Sequence, residues 1–182
     1  PNWPTGDRKA STPSAVASGQ HLAVVFQDEG VTEKGLQKEN SLIVRDVYNG
    51  LRLWRRKADS LELISDGGRI LTKVDGKLVA LDGETGEVTH TFDVEAPGEF
   101  ILSDGLLLVA NSKEVRAFDA ELGESRWSTP LVSKRMRAGD GRLFVHVDNS
   151  RRGDDSQLAC FDLQTGKEKW RFKTSGNIFS QN

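Results

Sequence analysis

A repeat constrains this chain more than any other feature. Four segments carry the frame Asp-x-x-x-Gly-x-x-x-aromatic: Asp46/Gly50/Trp54, Asp82/Gly86/His90, Asp119/Gly123/Trp127 and Asp162/Gly166/Trp170, with His90 the one departure at the aromatic position. The Asp residues recur at spacings of 36, 37 and 43 residues. A period of about 40 residues marks a stacked or radial architecture, in which each unit buries its apolar face against its neighbours. A second landmark precedes each frame in the same order, a turn followed by an apolar run: Ser18-Gly19 before residues 21–26, Asp66-Gly67 before 70–74, Asp104-Gly105 before 106–110, and Asp140-Gly141 before 143–147.

Each repeat reads as four short strands. In the third repeat these are residues 100–102, 106–110, 114–119 and 125–128, with hairpin turns at 111–113 and 120–124. The runs are too short for helices and rich in β-branched and large apolar residues, and no stretch carries an apolar stripe at helical period. The fold class is therefore all-β. In Asp82-Gly83-Glu84-Thr85-Gly86 and Asp162-Leu163-Gln164-Thr165-Gly166 the Asp side chain is placed to accept bonds from amides inside the turn, and the final Gly takes the positive-φ slot of a bulged hairpin; Asn49-Gly50 and Leu122-Gly123 fill the same slot. The aromatic four residues later falls midway along the outer strand, where a flat ring covers the seam between sheets. On this reading Trp54, Trp127 and Trp170 are each largely buried, His90 makes a weaker seam, and the repeated Asp, Gly and aromatic residues are architecture and not catalysts.

Composition excludes several classes. With 25 Lys+Arg against 27 Asp+Glu the chain lacks the basic footprint of a dedicated nucleic-acid binder. Its most apolar stretch, residues 101–110, is broken by Ser103, Asp104 and Gly105, far short of the roughly 20 apolar residues that cross a bilayer. Its single cysteine, Cys160, excludes an internal disulfide, a Cys-x-x-Cys site and a c-type haem attachment within these residues. The chain opens at Pro1-Asn2-Trp3 without a leader, so an export signal is removed or lies outside it, and compartment is open on this criterion.

The frame Leu-x-Ala-Leu/Phe-Asp-x-x-Thr-Gly-x-x-x-Trp, cleanest at residues 78–86 and 158–170, resembles the repeat of the quinoprotein-like (PQQ-like) β-propeller family over residues 12 to 180. The resemblance implies four-stranded antiparallel blades, at 12–57, 58–94, 95–130 and 131–174, after a leader or linker at 1–11; residues 175–182 look like the start of a further blade. Propellers of this family usually have seven or eight blades, so four imply part of a larger propeller, completed by the same or another polypeptide. The family includes alcohol and sugar dehydrogenases as well as proteins that bind no quinone and serve as docking surfaces, among them outer-membrane assembly lipoproteins and bacterial surface or periplasmic proteins. The expectation is a non-catalytic protein-interaction scaffold outside the cytoplasm, without cofactor. The alternative is half of a dehydrogenase dependent on PQQ and calcium.

Two segments at the same junction of the repeat are longer than their counterparts, residues 27–40 and 148–157. Both are read as extended loops on one face, either a partner-binding surface or drifted solvated loops. The partner candidates there are Glu33, Lys34, Lys38, Arg151, Arg152 and Asp155, with Arg135 and Arg137 on the inner strand of the fourth repeat. Two readings stand for that arginine pair: presentation to an anionic ligand or carboxylate, or pairing with Glu62 or Glu99. Asp148, Asn149, Asp154 and Asp155 offer oxygen ligands but lack the spacing of a calcium loop, and Arg152-Gly153-Asp154 is a tripeptide that recurs by chance. Arg52, Arg55, Arg56 and Lys57 read as a solvated edge strand that resists aggregation. His21, His90 and His146 stand at no metal-ligand spacing, so no metal site and no catalytic residue is assigned.

Overall fold

The computed structural model describes residues 14–32, 35–148 and 156–173. The strands of these residues follow chain order in four four-stranded antiparallel sheets. The first sheet holds β1 (Ser14–Ser18), β2 (His21–Thr32), β3 (Gly35–Asp46) and β4 (Arg52–Ala58), and the second β5 (Ile64–Asp66), β6 (Arg69–Val74), β7 (Lys77–Asp82) and β8 (Val88–Phe92). The third holds β9 (Phe100–Ser103), β10 (Leu106–Ala110), β11 (Glu114–Asp119) and β12 (Ser125–Pro130), and the fourth β13 (Ser133–Gly139), β14 (Arg142–Asp148), β15 (Ser156–Asp162) and β16 (Glu168–Lys173). Strands adjacent in sequence are adjacent in space, the simplest meander a repeat permits. Among the described residues no helix is long and apolar enough to cross a membrane.

The chain divides into two compact units, Pro1–Asp75 with Val79–His90, and Gly76–Leu78 with Thr91–Asn182. In the first, Ala23, Val25, Leu42, Val44, Ile70, Val79 and Leu81 form one buried cluster, with Trp54 packed against it. In the second, Leu106, Leu108, Val115, Ala117, Met136, Leu143, Val145, Ala159 and Phe161 form another, with Trp127 against it. The middle strands explain these sequences. β10 is buried at every position, so Leu106-Leu107-Leu108-Val109-Ala110 has no polar alternation, as a strand covered on both faces requires. The outer strands β4 and β12 alternate instead, with one face toward solvent.

The turns hold the two sequence landmarks together. In all four sheets the amide of the frame Gly donates to the carbonyl of the frame Asp at 2.9 Å, with φ between 66° and 75° at Gly50, Gly86, Gly123 and Gly166. The Asp Oδ1 accepts from amides inside the turn: from Tyr48 and Asn49 at Asp46, Glu84 and Thr85 at Asp82, Glu121 and Leu122 at Asp119, and Thr165 at Asp162. A bulge one residue before the Asp, which shifts the register of β3–β4, β11–β12 and β15–β16, completes the hairpin. The residue after each Asp then donates to the turn between the first two strands of its own sheet. Val47 bonds Gln20, Gly83 bonds Gly68, Ala120 bonds Gly105 and Leu163 bonds Gly141, at 2.9 to 3.0 Å. The two landmarks keep their order in the sequence because they are hydrogen-bonded to each other in every sheet.

Three of these carboxyls are held below the ordinary aspartate range. At Asp82 the Thr85 amide is the largest cause, at Asp119 the Arg126 guanidinium followed by the Leu122 amide, and at Asp162 the Thr165 hydroxyl followed by the Lys169 ammonium. A carboxyl whose folded pKa lies below its unfolded one binds a proton less readily in the native state. Its stabilisation is complete above the unfolded value, about pH 4, and is lost as pH falls through the folded value. Urea denaturation should therefore show stability falling on the acid side of that range. Asp82→Asn, which keeps an Oδ1 acceptor but removes the titration, should flatten the profile. A profile unchanged by this substitution would take the turn out of the acid response.

Candidate interaction surface

The segment 27–40 is not a loop. β2 and β3 continue through it in register, from Gln27 opposite Asn40 to Thr32 opposite Gly35, as a two-stranded ribbon. β1 pairs only as far as Val25 and β4 only as far as Asn40, so the ribbon extends beyond both neighbours. In-register pairing continues because a hairpin can lengthen without altering the sheet at its base, which a length count cannot distinguish from a coil. Similarly, β14 runs to Asp148 and β15 begins at Ser156. Of the candidates, Glu33, Lys34, Arg151, Arg152 and Asp155 lie outside the described residues, as do Asn149 and Asp154, while the backbone of Lys38 lies in β3 opposite Glu29.

Arg135 and Arg137 lie exposed on β13. Arg137 Nη1 stands 3.6 Å from Glu99 Oε1, and the other Glu99 oxygen accepts the Met136 amide at 2.7 Å. The pairing alternative thus describes Arg137, with Glu99 linking the third and fourth sheets. Glu62 instead pairs with Lys73 at 2.9 Å. Arg135 has no ion-pair partner among the described residues.

A charged cleft of about 440 Å³ that sequence reasoning missed lies in the second unit, lined by Asp93, Glu95, Asn111, Lys113, Glu114, Arg116 and Pro130. Asn111 Oδ1 accepts the amides of Lys113 and Glu114, which closes the β10–β11 turn, and its Nδ2 donates to the Glu95 carbonyl at 3.1 Å. Arg116 spans Glu114 at 2.6 Å and the Asp93 carbonyl at 2.8 Å, and Lys113 pairs with Glu95 at 2.7 Å. Lys113 holds the Glu95 carboxyl low, and Glu95 in turn raises the lysine. The cleft's charges are largely satisfied by one another, which suits a polar contact surface better than the binding of a single ion. The sequence signal was slight: a lysine and an arginine around a turn, with acids about twenty residues earlier.

The tryptophans are joints. Trp54 Nε1 donates to the Gly83 carbonyl at 2.8 Å and Trp127 Nε1 to the Leu163 carbonyl at 3.0 Å. Each ring lies against the turn glycine of the following sheet, so that a Cβ on Gly86 would stand 2.7 Å from Trp54 and one on Gly166 would stand 2.6 Å from Trp127. Two residues on, on the same strand face, Arg56 Nη1 donates to the Gly86 carbonyl at 2.8 Å and Thr129 Oγ1 to the Gly166 carbonyl at 3.3 Å. Arg56 is therefore part of a joint and not merely a solvated edge. Trp170 departs from the expected burial. It is 42% exposed, on a β16 whose every residue is exposed, because no following sheet lies over it among the described residues.

The described residues do not by themselves assemble a quinone and calcium site. Among the described residues no group of three His, Cys, Asp or Glu converges on a cation-sized site, and Cys160 is a buried lone thiol. The rings of Trp54 and Trp127 are covered by the next sheet's turn and are not available to stack on a planar cofactor.

The family model described as outer membrane protein assembly factor BamB matches residues 38–133 and 111–181. Among curated proteins, the chain is 26% identical over 152 residues to the dehydrogenase subunit of a quinone alcohol dehydrogenase of Acetobacter aceti, covering 67% of this chain and 20% of that protein. It is 24% identical over 169 residues to outer membrane protein assembly factor BamB of Burkholderia pseudomallei (strain K96243), covering 81% of this chain and 44% of that protein. It thus spans less than half the length of either. Among solved structures it is similar to quinohemoprotein alcohol dehydrogenase from Comamonas testosteroni, at TM-score 0.65 and 14% identity over 88% of this chain and 34% of that one. A europium-containing methanol dehydrogenase follows at TM-score 0.59 and 12% identity, over 87% of this chain and 41% of that one.

Proposed function

The chain belongs to the PQQ-like β-propeller repeat family, and on that premise we propose that it is a non-catalytic protein-interaction scaffold acting outside the cytoplasm, in the periplasm or the extracellular space. The observation that carries this reading is the use of the repeat's reactive side chains. The frame Asp residues close turns, Trp54 and Trp127 join sheets, and the cleft's acids and bases neutralise one another. What remains for a partner is charged surface, which sets orientation and encounter rate more than buried area. Partner contacts are assigned to Arg135 and Arg137, to Glu33, Lys34 and Lys38 at the ribbon, and to Arg151, Arg152 and Asp155 between β14 and β15. Further blades complete the module, from the same polypeptide or another, with limits at 12–57, 58–94, 95–130 and 131–174 and a fifth blade opening at 175–182.

Similarity to the quinone alcohol dehydrogenase of Acetobacter aceti favours a second reading, a portion of an enzyme dependent on PQQ and calcium. Equilibrium dialysis of the polypeptide as the cell makes it, against PQQ with and without calcium, separates the two. The scaffold reading expects no saturable uptake. Stoichiometric calcium-dependent uptake would replace it with the enzyme reading.

A further inference from the structure

Arg116 breaks the repeat. Three residues before the frame Asp the other sheets place Ile43, Val79 and Ala159, of which the last two are 4% and 0% exposed. A guanidinium set on β11 where its counterparts are apolar loses part of its hydration, and departures of this kind from a local rule fall at functional or strained sites. What Arg116 organises is the charged cleft. Its pair with Glu114 is the more buried, at side-chain exposures of 27% and 22%, while Lys113 and Glu95 stand on the rim at 71% and 79%. The segment that carries Asp93 and Glu95 is itself constrained. Ala96 takes φ 44°, a left-handed conformation costly for alanine, immediately before Pro97, and the Asn111 bond to the Glu95 carbonyl and the Gly98 bond to the Ala110 carbonyl hold it on both sides. All the lining residues fall between Asp93 and Pro130, so the cleft is complete within the third sheet and the segment leading into it.

Its unused capacity is that of an acceptor. Three carboxylates, Asp93, Glu95 and Glu114, line it against two cations, Lys113 and Arg116, an excess of one negative charge. The two ion pairs occupy Glu95 and Glu114, whereas the exposed Asp93 side chain has no hydrogen bond or ion pair among the described residues and only its backbone carbonyl is engaged. Arg116 offers an anion little, since both Nη atoms already donate and its Nε is buried. Nor do the acids converge on a metal ion, because among the described residues no group of three such ligands does. A cation whose donors spread over a plane fits better: a guanidinium presents a fixed fork of N–H groups that pairs with a carboxylate through two parallel bonds. Pro130, the one lining residue without a polar side chain, gives an apolar wall to the stem of such a group.

We propose that the cleft receives an arginine side chain of a partner protein, its guanidinium on the Asp93 carboxylate and its stem against Pro130. The inference rests on the scaffold reading and gives that reading a partner chemistry. The two fail separately, since quinone uptake is read by dialysis, and a cleft that takes no arginine leaves the scaffold its other charged surfaces.

NMR titration of the isotope-labelled full chain tests it, with a five-residue peptide blocked at both ends and carrying a central arginine between glycine and serine. Saturable shifts are expected at the amides of Asp93, Asn111 and Lys113, and none over the same range when citrulline, which keeps the shape without the charge, replaces the arginine. Asp93→Asn keeps the backbone carbonyl that Arg116 uses and should weaken binding about tenfold, the loss of one charge-assisted hydrogen bond, with the urea midpoint near that of the parent. Lys113→Met should do the reverse. It releases Glu95 and should tighten binding about threefold, the scale of one exposed ion pair, an improvement that a purely structural lysine would not yield on removal. Absent shifts, equal binding of the citrulline peptide, an unchanged affinity in Asp93→Asn or a weaker one in Lys113→Met each overturn the proposal. The same shifts produced by a peptide with central glutamate, or by calcium chloride alone, overturn it as well and assign the cleft to an anion or to a metal ion.

Discussion

Replacing Trp127 with alanine should destabilise the protein by about 3 kcal/mol, the lower end of the range for a large aromatic in a core because part of the ring faces solvent. The ring packs against the second unit's apolar cluster, its indole N–H donates to the Leu163 carbonyl at 3.0 Å, and its face lies on Gly166. Truncation removes all three contacts at once. Trp170→Ala, at the equivalent position of the frame, should cost less than about 1 kcal/mol in dilute solution, since an exposed side chain has little to lose. Urea denaturation of both variants checks the contrast. Equal effects would show that burial in the second unit is not what distinguishes the two rings.

Gly166→Ala should be comparably damaging, at about 3–5 kcal/mol, for two separable reasons. At φ 66° any L side chain pays the left-handed penalty of about 1–2 kcal/mol. The new Cβ would also stand 2.6 Å from two ring carbons of Trp127, so the ring must shift and loosen its bond to Leu163. Gly50→Ala isolates the first cause, because its φ of 71° is the same but nothing lies near the added methyl. It should cost about 1–2 kcal/mol. The difference between the two variants measures the joint. If both lose the same stability, the contact between ring and glycine contributes nothing beyond the backbone.

Much of the architecture was legible in the residues. Asp162-x-x-Thr165-Gly166 dictates its own turn, because the carboxylate, the hydroxyl and the positive-φ glycine are all local, and the same logic placed the strands on either side. The continuous apolar run of β10 announced a strand covered on both faces. The candidate surface was less legible. Length alone marked residues 27–40 as unusual but could not tell coil from continued pairing, since polar residues such as Gln27, Glu39 and Asn40 suit an exposed ribbon as well as a loop. The cleft between Asp93 and Arg116 joins segments about twenty residues apart, and no periodicity reports such a meeting.

By itself, then, the sequence determined what short-range chemistry can determine: the turns, the strand count of each sheet, the order of strands and the family they belong to. Only the tertiary structure decided which of the equivalent aromatic residues are joints. Trp127 and Trp170 share a frame and a strand position, and their local hydrogen-bonding potential is the same. They differ because the turn of the fourth sheet lies over one, while among the described residues no following sheet lies over the other. Burial is a property of what is placed opposite a side chain, so identical local sequence yields a buried joint at one position and an open face at the other.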